Sequence, residues 1–254
     1  MTNPPISEDL LSRAKALHLH GLMAHWEEVK MAPWVPILIE WEEAARQRRS
    51  LERRIKAARV GRFKMMAQFD WSWPKVCDRR AIEALASLDF IRDKGNVILL
   101  GPNGVGKTMI AKNLIHSAVM QGYNARYITA AELLGDLAAV KSDALLKRRL
   151  KAYAKFDVMC IDEIGYLSYG DRHADLLFEL INRYYEERSL IVTSNRPFSE
   201  WKEVFPNAAC VVTLVDRLVH YAEVIKLEGD SYRLRDANER KTKRRRKPTP
   251  EGSE

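Results

Sequence analysis

Apolar positions in the first 66 residues recur at the spacing of amphipathic helices. In SEDLLSRAKALHLHGLMAHWEEV, apolar side chains return every three or four positions, as they do along one face of a helix. Pro33 and Pro36 then interrupt the pattern, because proline disrupts a helix interior. A second stretch, ILIEWEEAARQRRSLERRIKAAR, runs without glycine or proline to Arg59. The pattern predicts a small all-α N-terminal domain over residues 1–66.

The pattern changes at Asn96, where short apolar runs begin to alternate with helical stretches. NVILL, ARYIT, VMCID and LIVTSN each have the length of a strand, and EVIKL and SYRLR are two further candidate strands near the end. Strands that alternate with longer helices are typical of βαβ units, in which helices flank a parallel sheet. We therefore predict an α/β domain over residues 67–236.

The remaining residues, 237–254, are basic and then rich in proline and serine, a composition typical of disorder. The formal net charge of +8 favours a polyanionic partner. No apolar run approaches the roughly 18 residues of a transmembrane helix, no secretory signal pattern is visible, and three widely spaced cysteines form no disulfide framework. These features predict a cytoplasmic protein without a membrane partner.

The stretch GPNGVGKT, residues 101–108, matches the pattern G-x-x-x-x-G-K-[ST] between a predicted strand and a predicted helix. Glycines let the backbone approach phosphate oxygens, and successive N–H groups at a helix start bind the anion. Lys107 would then reach the β- and γ-phosphates, and the Thr108 hydroxyl would bind Mg²⁺; the alternative is a chance glycine-rich turn. The predicted ATP-binding residues are Gly101, Pro102, Asn103, Gly104, Val105, Gly106, Lys107, Thr108, Met109 and Asp162.

Two adjacent acids, Asp162 and Glu163, end the apolar stretch MCID. An acid at the carboxyl end of a strand beside the phosphate loop can hold Mg²⁺ through a water, and Asp162 fits that role. Glu163 can turn toward the γ-phosphate and act as general base on the attacking water. The alternative is a solvated turn with two surface acids. LIVTSN ends similarly in Asn195, which can contact the γ-phosphate, although a Ser-Asn turn is also commonplace.

The stretch VDRLVH contains Arg217 where a helix is predicted. An arginine near the γ-phosphate of a neighbouring subunit would stabilise charge in the transition state and couple hydrolysis to assembly. A surface ion pair with Asp216 is equally consistent with the pattern.

Several of these stretches together resemble the IstB family of insertion-sequence helper ATPases, which are AAA+ proteins related to the replicative helicase loader DnaC. They are GPNGVGKT, CIDEIGYL, VTSNRPFSEW and VDRLVHYAEVIKLEGDSYRLR. AKALHLHGLMAHWEE and LIEWEEAARQRRSLERRIKAAR resemble the family's N-terminal helical domain, so the resemblance spans about residues 10–236. It implies a P-loop AAA+ core preceded by that helical domain.

The resemblance also implies a role for each site residue and a set of partners. The implied roles are Walker A for Lys107 and Thr108, Walker B for Asp162 and Glu163, sensor 1 for Asn195 and arginine finger for Arg217. ATP-dependent oligomerisation on double-stranded DNA and help to a cognate transposase would follow, with nucleoid association when DNA is bound. The basic residues between Arg46 and Lys64 additionally predict that DNA stimulates ATP hydrolysis. A DnaC-like helicase loader and a small-molecule P-loop phosphotransferase are the alternatives. The sensor-2 residue stays open between Arg233 and Arg235.

A dense basic segment lies between Arg46 and Lys64, with nine basic side chains against one acid, Glu52. On a helix these side chains would cover much of the circumference. Such a surface suits DNA phosphate contacts, which fix position without reading sequence, although a solvated helix face is the simpler alternative. The predicted DNA-binding residues are Arg48, Arg49, Arg53, Arg54, Lys56, Arg59 and Arg62.

Overall fold

The chain folds into two compact units that divide between Arg53 and Arg54. The computed structural model describes residues 6–166, 171–205 and 209–237, and each unit is considered by itself. No helix in these ranges is both long enough and apolar enough to cross a membrane. Apart from residue 237, the predicted tail lies outside the described residues.

The first unit is made of helices around a small apolar core. They are α1 (Ile6–Ala16), α2 (His20–Ala24), α3 (Trp26–Val29) and the first part of α4 (Trp34–Ala58). The first predicted helix is therefore divided, and the left-handed backbone of His18 (φ +51°) follows the end of α1. The buried core residues are Leu10, Ala14, Leu17, Trp26, Val35 and Ile39.

Pro36 lies inside α4, whereas the sequence pattern predicted that it would precede the helix. In the first turn of a helix the backbone N–H groups have no intrahelical acceptor, so proline is tolerated there. Further along α4, Glu43 accepts two hydrogen bonds from the Arg13 guanidinium of α1, at 2.9 and 2.8 Å. These bonds hold the pKa of Glu43 below its ordinary value and join the two longest helices of this unit.

The second unit contains a six-stranded, mostly parallel sheet. In spatial order the strands are β1, β6, β2, β5, β4 and β3, and only β1 runs antiparallel to its neighbour. Their bounds are β1 (Val76–Cys77), β2 (Asn96–Leu100), β3 (Ala125–Thr129), β4 (Val158–Ile164), β5 (Ser189–Ser194) and β6 (Ala222–Glu228). Every residue of β2 and of β5 is buried, as expected for central parallel strands covered on both faces. The predicted α/β architecture is confirmed.

Helices flank this sheet and fill the intervals between its strands. Their bounds are α5 (Arg79–Ala84), α6 (Asp89–Arg92), α7 (Lys107–Met120), α8 (Ala130–Ala138), α9 (Asp143–Tyr153), α10 (Asp171–Tyr184), α11 (Trp201–Val204) and α12 (Val211–Val219). Leucine, isoleucine and valine side chains from α8, α10 and α12 pack with those of the central strands into one large core. This core holds the strands in register, so that the carboxyl ends of β2, β4 and β5 lie on the same side of the sheet.

One predicted strand is wrong. EVIKL lies within β6, but SYRLR is not a strand, because residues 232–237 are helical. The backbone N–H groups of Leu234 and Arg235 both donate to Ser231 O, at 3.2 Å, and so close a helical turn. The N–H of Tyr232 donates to Gly104 O at 3.0 Å, so this segment contacts the phosphate loop instead of extending the sheet.

The two units divide between Arg53 and Arg54, whereas the sequence predicted a domain boundary after residue 66. Residues 62–69 belong to the second unit because they pack on α7. The Phe63 ring lies 5.3 Å from that of His116, and Asn113 Oδ1 accepts a hydrogen bond from the Met66 N–H at 2.9 Å. Asn113 Nδ2 donates to Lys64 O at 2.9 Å.

Candidate nucleotide-binding site

The phosphate loop connects the end of β2 to the start of α7. All three of its glycines have a positive φ, which other residues rarely adopt, and φ is +151° at Gly101 and +114° at Gly106. A Cβ on Gly101 would lie 2.0 Å from Leu227 O, and one on Gly106 would lie 2.5 Å from a ring carbon of Phe69. The loop therefore requires glycine at both positions, and α7 begins directly after it with free N–H groups.

Lys107 is folded back onto this loop. Its ammonium group donates to Gly101 O at 2.6 Å and to Pro102 O at 2.8 Å, and the residue is only 7% exposed. Burial lowers the pKa of Lys107 to about 8, and the positive charge of Arg233 acts in the same direction, whereas Asp162 opposes it. A bound phosphate would supply the negative charge that this buried ammonium lacks.

The structure brings Thr108 and Asp162 together. The Thr108 hydroxyl lies 3.1 and 3.3 Å from the two carboxylate oxygens of Asp162, which is only 1% exposed. Hydroxyl and carboxylate oxygens beside a phosphate site are ligands that Mg²⁺ prefers, so this pair fits the predicted metal. Tyr127 and Thr193 also donate hydrogen bonds to the same carboxylate, each at 2.5 Å.

Glu163 lies next to Asp162 but in a different environment. The pairing of β4 with β5 shifts register between Ile161 and Ile164, and within this irregularity Glu163 has a left-handed φ of +64°. Its N–H donates to the Thr193 hydroxyl at 2.9 Å, and its exposed side chain lines a cavity. Such bulges often redirect a side chain beside an active site; a regular strand pattern does not predict one here.

Asn195 follows β5 and lines the same cavity. Its Oδ1 atom is buried and has no hydrogen-bond partner in the described part of the chain. An unpaired buried amide group costs about 1–3 kcal/mol, and a rotated amide would present an N–H donor at the same point. The predicted contact with a γ-phosphate would satisfy this amide, since Asn195 lines the cavity.

The cavity has a volume of about 420 Å³, and the phosphate loop forms part of its lining. Gly101, Pro102 and Asp162 lie behind its wall, where the first two accept hydrogen bonds from Lys107. The predicted site residues that line it are Asn103, Gly104, Val105, Gly106, Lys107, Thr108, Met109, Glu163 and Asn195. This size and lining suit a small organic phosphate.

Aromatic residues from two chain segments, which the sequence interpretation did not assign to the site, complete the cavity. Phe63 and Phe69 come from the segment before β1, and Tyr232 comes from the turn after β6. Trp73 joins the segments, because its indole N–H donates to Asp230 O at 2.8 Å and its ring meets that of Tyr232 edge-on. The density of aromatic residues in FDWSW was the available signal. Because this stretch lies outside the alternating strands and helices, the sequence pattern did not indicate that it lines the site.

The two arginines of this turn have different surroundings. Arg233 lines the cavity and lies close enough to Lys107 to lower its pKa. Arg235 instead forms an ion pair with Asp70 at 3.1 Å and lies 4.5 Å above the Trp73 ring. The geometry therefore favours Arg233 over Arg235 as the second arginine near a bound nucleotide.

Comparison with known proteins agrees with this geometry. The sequence profile of the IstB-like ATP binding protein family matches residues 9–240. The chain belongs to this family. It is 36% identical over 235 residues to an insertion sequence IS21 ATP-binding protein of Pseudomonas aeruginosa, covering 90% of this chain and 89% of the relative. A Geobacillus stearothermophilus relative from insertion sequence IS5376 is also 36% identical, over 199 residues, covering 78% and 79%.

Solved structures share the fold of this IstB-like chain. The crystal structure of DnaI matches with a TM-score of 0.55 at 16% identity, over 64% of this chain and 90% of that one. AMPPCP-bound DnaA from Aquifex aeolicus matches with a TM-score of 0.51 at 17% identity, over 72% and 59%. The predicted fold class, a P-loop AAA+ core with a helical N-terminal region, is confirmed.

Arg217 of this IstB-like protein does not reach the cavity. It lies in the last turn of α12, where its guanidinium donates to Asn182 Oδ1 and lies 5.4 Å from the rings of both Phe178 and Tyr185. Its contacts are therefore with α10 and the residue that follows it, rather than with Asp216. These contacts hold the arginine outside the lining of the cavity in its own chain.

The basic segment is helical up to Ala58 and not beyond, close to the predicted helix end at Arg59, so its basic residues do not all lie on one helix. α4 ends at Ala58, where Arg126 donates to Ala57 O at 2.8 Å, and Arg59 has a left-handed φ of +51°. Arg54 is half-buried and donates to Val119 O at 3.3 Å, and Arg62 lines the nucleotide cavity. The exposed basic residues on α4 are Arg48, Arg49, Arg53 and Lys56.

The buried amide oxygen of Asn195, which has no hydrogen-bond partner among the described residues, predicts how an alanine variant would behave. In Asn195→Ala the free energy of unfolding without nucleotide should stay within about 0.5 kcal/mol of the wild-type value or rise, because a buried unsatisfied group is removed. Affinity for an ATP analogue should fall about tenfold while ADP affinity is unchanged, since only ATP carries a γ-phosphate. Urea unfolding and fluorescent nucleotide titration measure both quantities. Asn124→Ala, outside the cavity, is the control; a destabilised variant with an unchanged ATP/ADP preference would show that the amide is structural.

Proposed function

We propose that this chain is an ATP-dependent, DNA-binding AAA+ regulator of an insertion sequence, which oligomerises on duplex DNA and helps a cognate transposase to select or act on its target. The observation that carries the proposal is the convergence of Lys107, the Thr108–Asp162 pair and Asn195 around one cavity. Family membership supports ATP binding. The names of the relatives support the link to an insertion sequence.

Hydrolysis of ATP would use the residues as their positions allow. Lys107 and the phosphate loop would bind the β- and γ-phosphates, and Thr108 and Asp162 would hold Mg²⁺. When bound, Mg²⁺ neutralises charge on the β- and γ-phosphate oxygens. Glu163, exposed at the cavity, would accept a proton from the attacking water, and the Asn195 amide would hydrogen-bond the γ-phosphate.

Arg217 would act on a neighbouring subunit rather than on its own site. Asn182, Phe178 and Tyr185 hold its guanidinium, and Arg217 does not line the cavity of its own chain. A guanidinium presented to the γ-phosphate of an adjacent subunit would stabilise charge in the transition state. Hydrolysis would then depend on assembly, and hydrolysis would in turn limit how long the subunits stay assembled.

DNA would supply the surface on which the subunits assemble. Arg48, Arg49 and Arg53 are exposed on α4 of the first unit, where Arg49 and Arg53 are one helical turn apart. Their charge suits contact with phosphates, which provides affinity without sequence preference. Such a protein would act in the cytoplasm and associate with the nucleoid while bound to DNA.

The likeness to DnaI shows the fold alone, so it does not favour a helicase-loading role for this chain. The curated relatives, in contrast, are named for insertion sequences over most of the chain length. The partner is therefore proposed to be a transposase rather than a replicative helicase.

The substitution Glu163→Gln tests the proposed chemistry. Glutamine preserves the shape of the side chain but cannot act as a base, so ATP affinity should stay within about threefold while turnover falls roughly 10²–10⁴-fold. Phosphate release in the presence of duplex DNA and fluorescent nucleotide titration separate the two effects. Glu187→Gln, at an exposed site, is the matched control. Normal turnover by Glu163→Gln would exclude this residue as the base.

The combined variant Arg48→Ala, Arg49→Ala, Arg53→Ala tests DNA binding by α4. We expect duplex DNA to stimulate wild-type hydrolysis, and the variant to bind duplex DNA more weakly. The slope of log affinity against log salt should fall by about 0.9 for each DNA phosphate that the variant no longer neutralises.

A second triple variant, Arg80→Ala, Lys141→Ala, Lys155→Ala, removes the same formal charge from exposed positions of the second unit. It should retain the wild-type salt slope. Equal slopes and equal stimulation in both triple variants would show that α4 has no specific part in DNA binding.

Mixing of two inactive variants tests the role of Arg217 in trans. Arg217→Ala and Lys107→Ala should each lose hydrolysis, whereas an equal mixture should recover roughly a quarter of wild-type turnover, because random assembly places an intact arginine beside an intact phosphate loop at that frequency. Labelled subunits verify that the two variants assemble together. Co-assembly with no recovery at any ratio would contradict a shared site.

A further inference from the structure

The carboxylate of Asp162 is held from two sides by hydroxyl groups that the proposed mechanism does not use. Tyr127 on β3 donates to Oδ2 and Thr193 on β5 donates to Oδ1, each at 2.5 Å. The two strands flank β4, which carries Asp162 itself. Thr108, at 3.1 and 3.3 Å, makes the longer contacts, so the orientation of the carboxylate is set mainly from β3 and β5.

We propose that Tyr127 and Thr193 are positioning residues that orient the Asp162 carboxylate for Mg²⁺, and that Thr193 also fixes the backbone of Glu163. The inference rests on the proposed function in that Thr108 and Asp162 form the metal site. Mg²⁺ demands near-ideal octahedral geometry, and groups that hydrogen-bond a metal ligand typically change metal affinity when they are removed.

Thr193 connects the two acids through a single hydroxyl group. Its Oγ1 donates to Asp162 and accepts the N–H of Glu163 at 2.9 Å, which uses its one proton and one lone pair. Glu163 has the left-handed φ of +64° that directs its side chain to the cavity. Thr193 therefore links the orientation of the metal ligand to that of the proposed base.

Tyr127 and Thr193 act through Asp162 and not on the nucleotide. Neither lines the cavity that the described residues enclose, and Thr193 is fully buried. The Tyr127 ring is further held by Lys112, whose ammonium lies 4.5 Å from the ring centroid. Removal of either hydroxyl should therefore change the response to Mg²⁺ before it changes nucleotide contacts.

The test uses the full chain and a fluorescent, non-hydrolysable ATP analogue titrated over a range of Mg²⁺ concentrations. In Tyr127→Phe, the Mg²⁺ concentration at half-maximal enhancement of binding should rise about tenfold, and affinity without Mg²⁺ should stay within about twofold. Thr193→Val should show the same rise. In a separate phosphate-release assay with ATP it should also show a lower kcat at saturating Mg²⁺, because it releases the Glu163 backbone. Thr193→Ser, which keeps the hydroxyl, should restore both quantities.

Tyr153→Phe is the matched control, because its hydroxyl also donates to an aspartate, Asp136, at 2.9 Å, but away from the cavity. It should leave the Mg²⁺ midpoint unchanged. Unchanged midpoints in Tyr127→Phe and Thr193→Val, an equal rise in Tyr153→Phe, or wild-type binding that ignores Mg²⁺ would each overturn the inference. If the two variants shift the Mg²⁺ midpoint but the wild-type chain does not hydrolyse ATP, the proposed function is refuted and the positioning role of Tyr127 and Thr193 stands.

Discussion

The buried carboxylate of Asp162 is the group on which the site depends. A carboxylate that is almost completely removed from water is unfavourable unless hydrogen bonds replace its hydration, and three hydroxyl groups from α7, β3 and β5 provide them. These donors can meet only if the parallel strands keep their order and register, because each donor comes from a different element. The core of the second unit therefore determines the geometry of the site as well as the stability of the fold.

The residues proposed to bind and hydrolyse ATP lie in a different part of the chain from those proposed to act in assembly. The groups that would bind and hydrolyse ATP surround one cavity in the second unit, whereas Arg217 is held by α10 and Tyr185 and does not line that cavity. The exposed arginines of α4 belong to the first unit. A single chain thus lacks one element of the proposed transition-state site, and assembly on DNA would supply it. This division explains how hydrolysis could time the release of the assembly.

The sequence predicted most of the fold because apolar runs of strand length alternate with helices, and it located the phosphate loop because glycine, lysine and threonine occur at a fixed spacing. Other features depend on tertiary contacts between distant segments. SYRLR has strand-like alternation, but its backbone bonds to Ser231 and to the phosphate loop make it helical. Arg62 was predicted to contact DNA, and its place in the lining of the cavity could not be predicted, because residues 59–65 form no helix or strand. Tyr127 and Thr193 give no signal in the sequence, since their role depends on the pairing of β4 with its neighbours.

The central claim is that ATP binding organises subunits on duplex DNA through a shared catalytic site. Electron cryo-microscopy of the full chain with a non-hydrolysable ATP analogue, Mg²⁺ and duplex DNA tests it most directly. The account predicts an oligomer on DNA in which Arg217 of one subunit faces the γ-phosphate bound by Lys107 of the next, with Asn195 and the Thr108–Asp162 pair around the same phosphate. Monomers on DNA, or an oligomer in which every Arg217 points away from the neighbouring nucleotide, would contradict it.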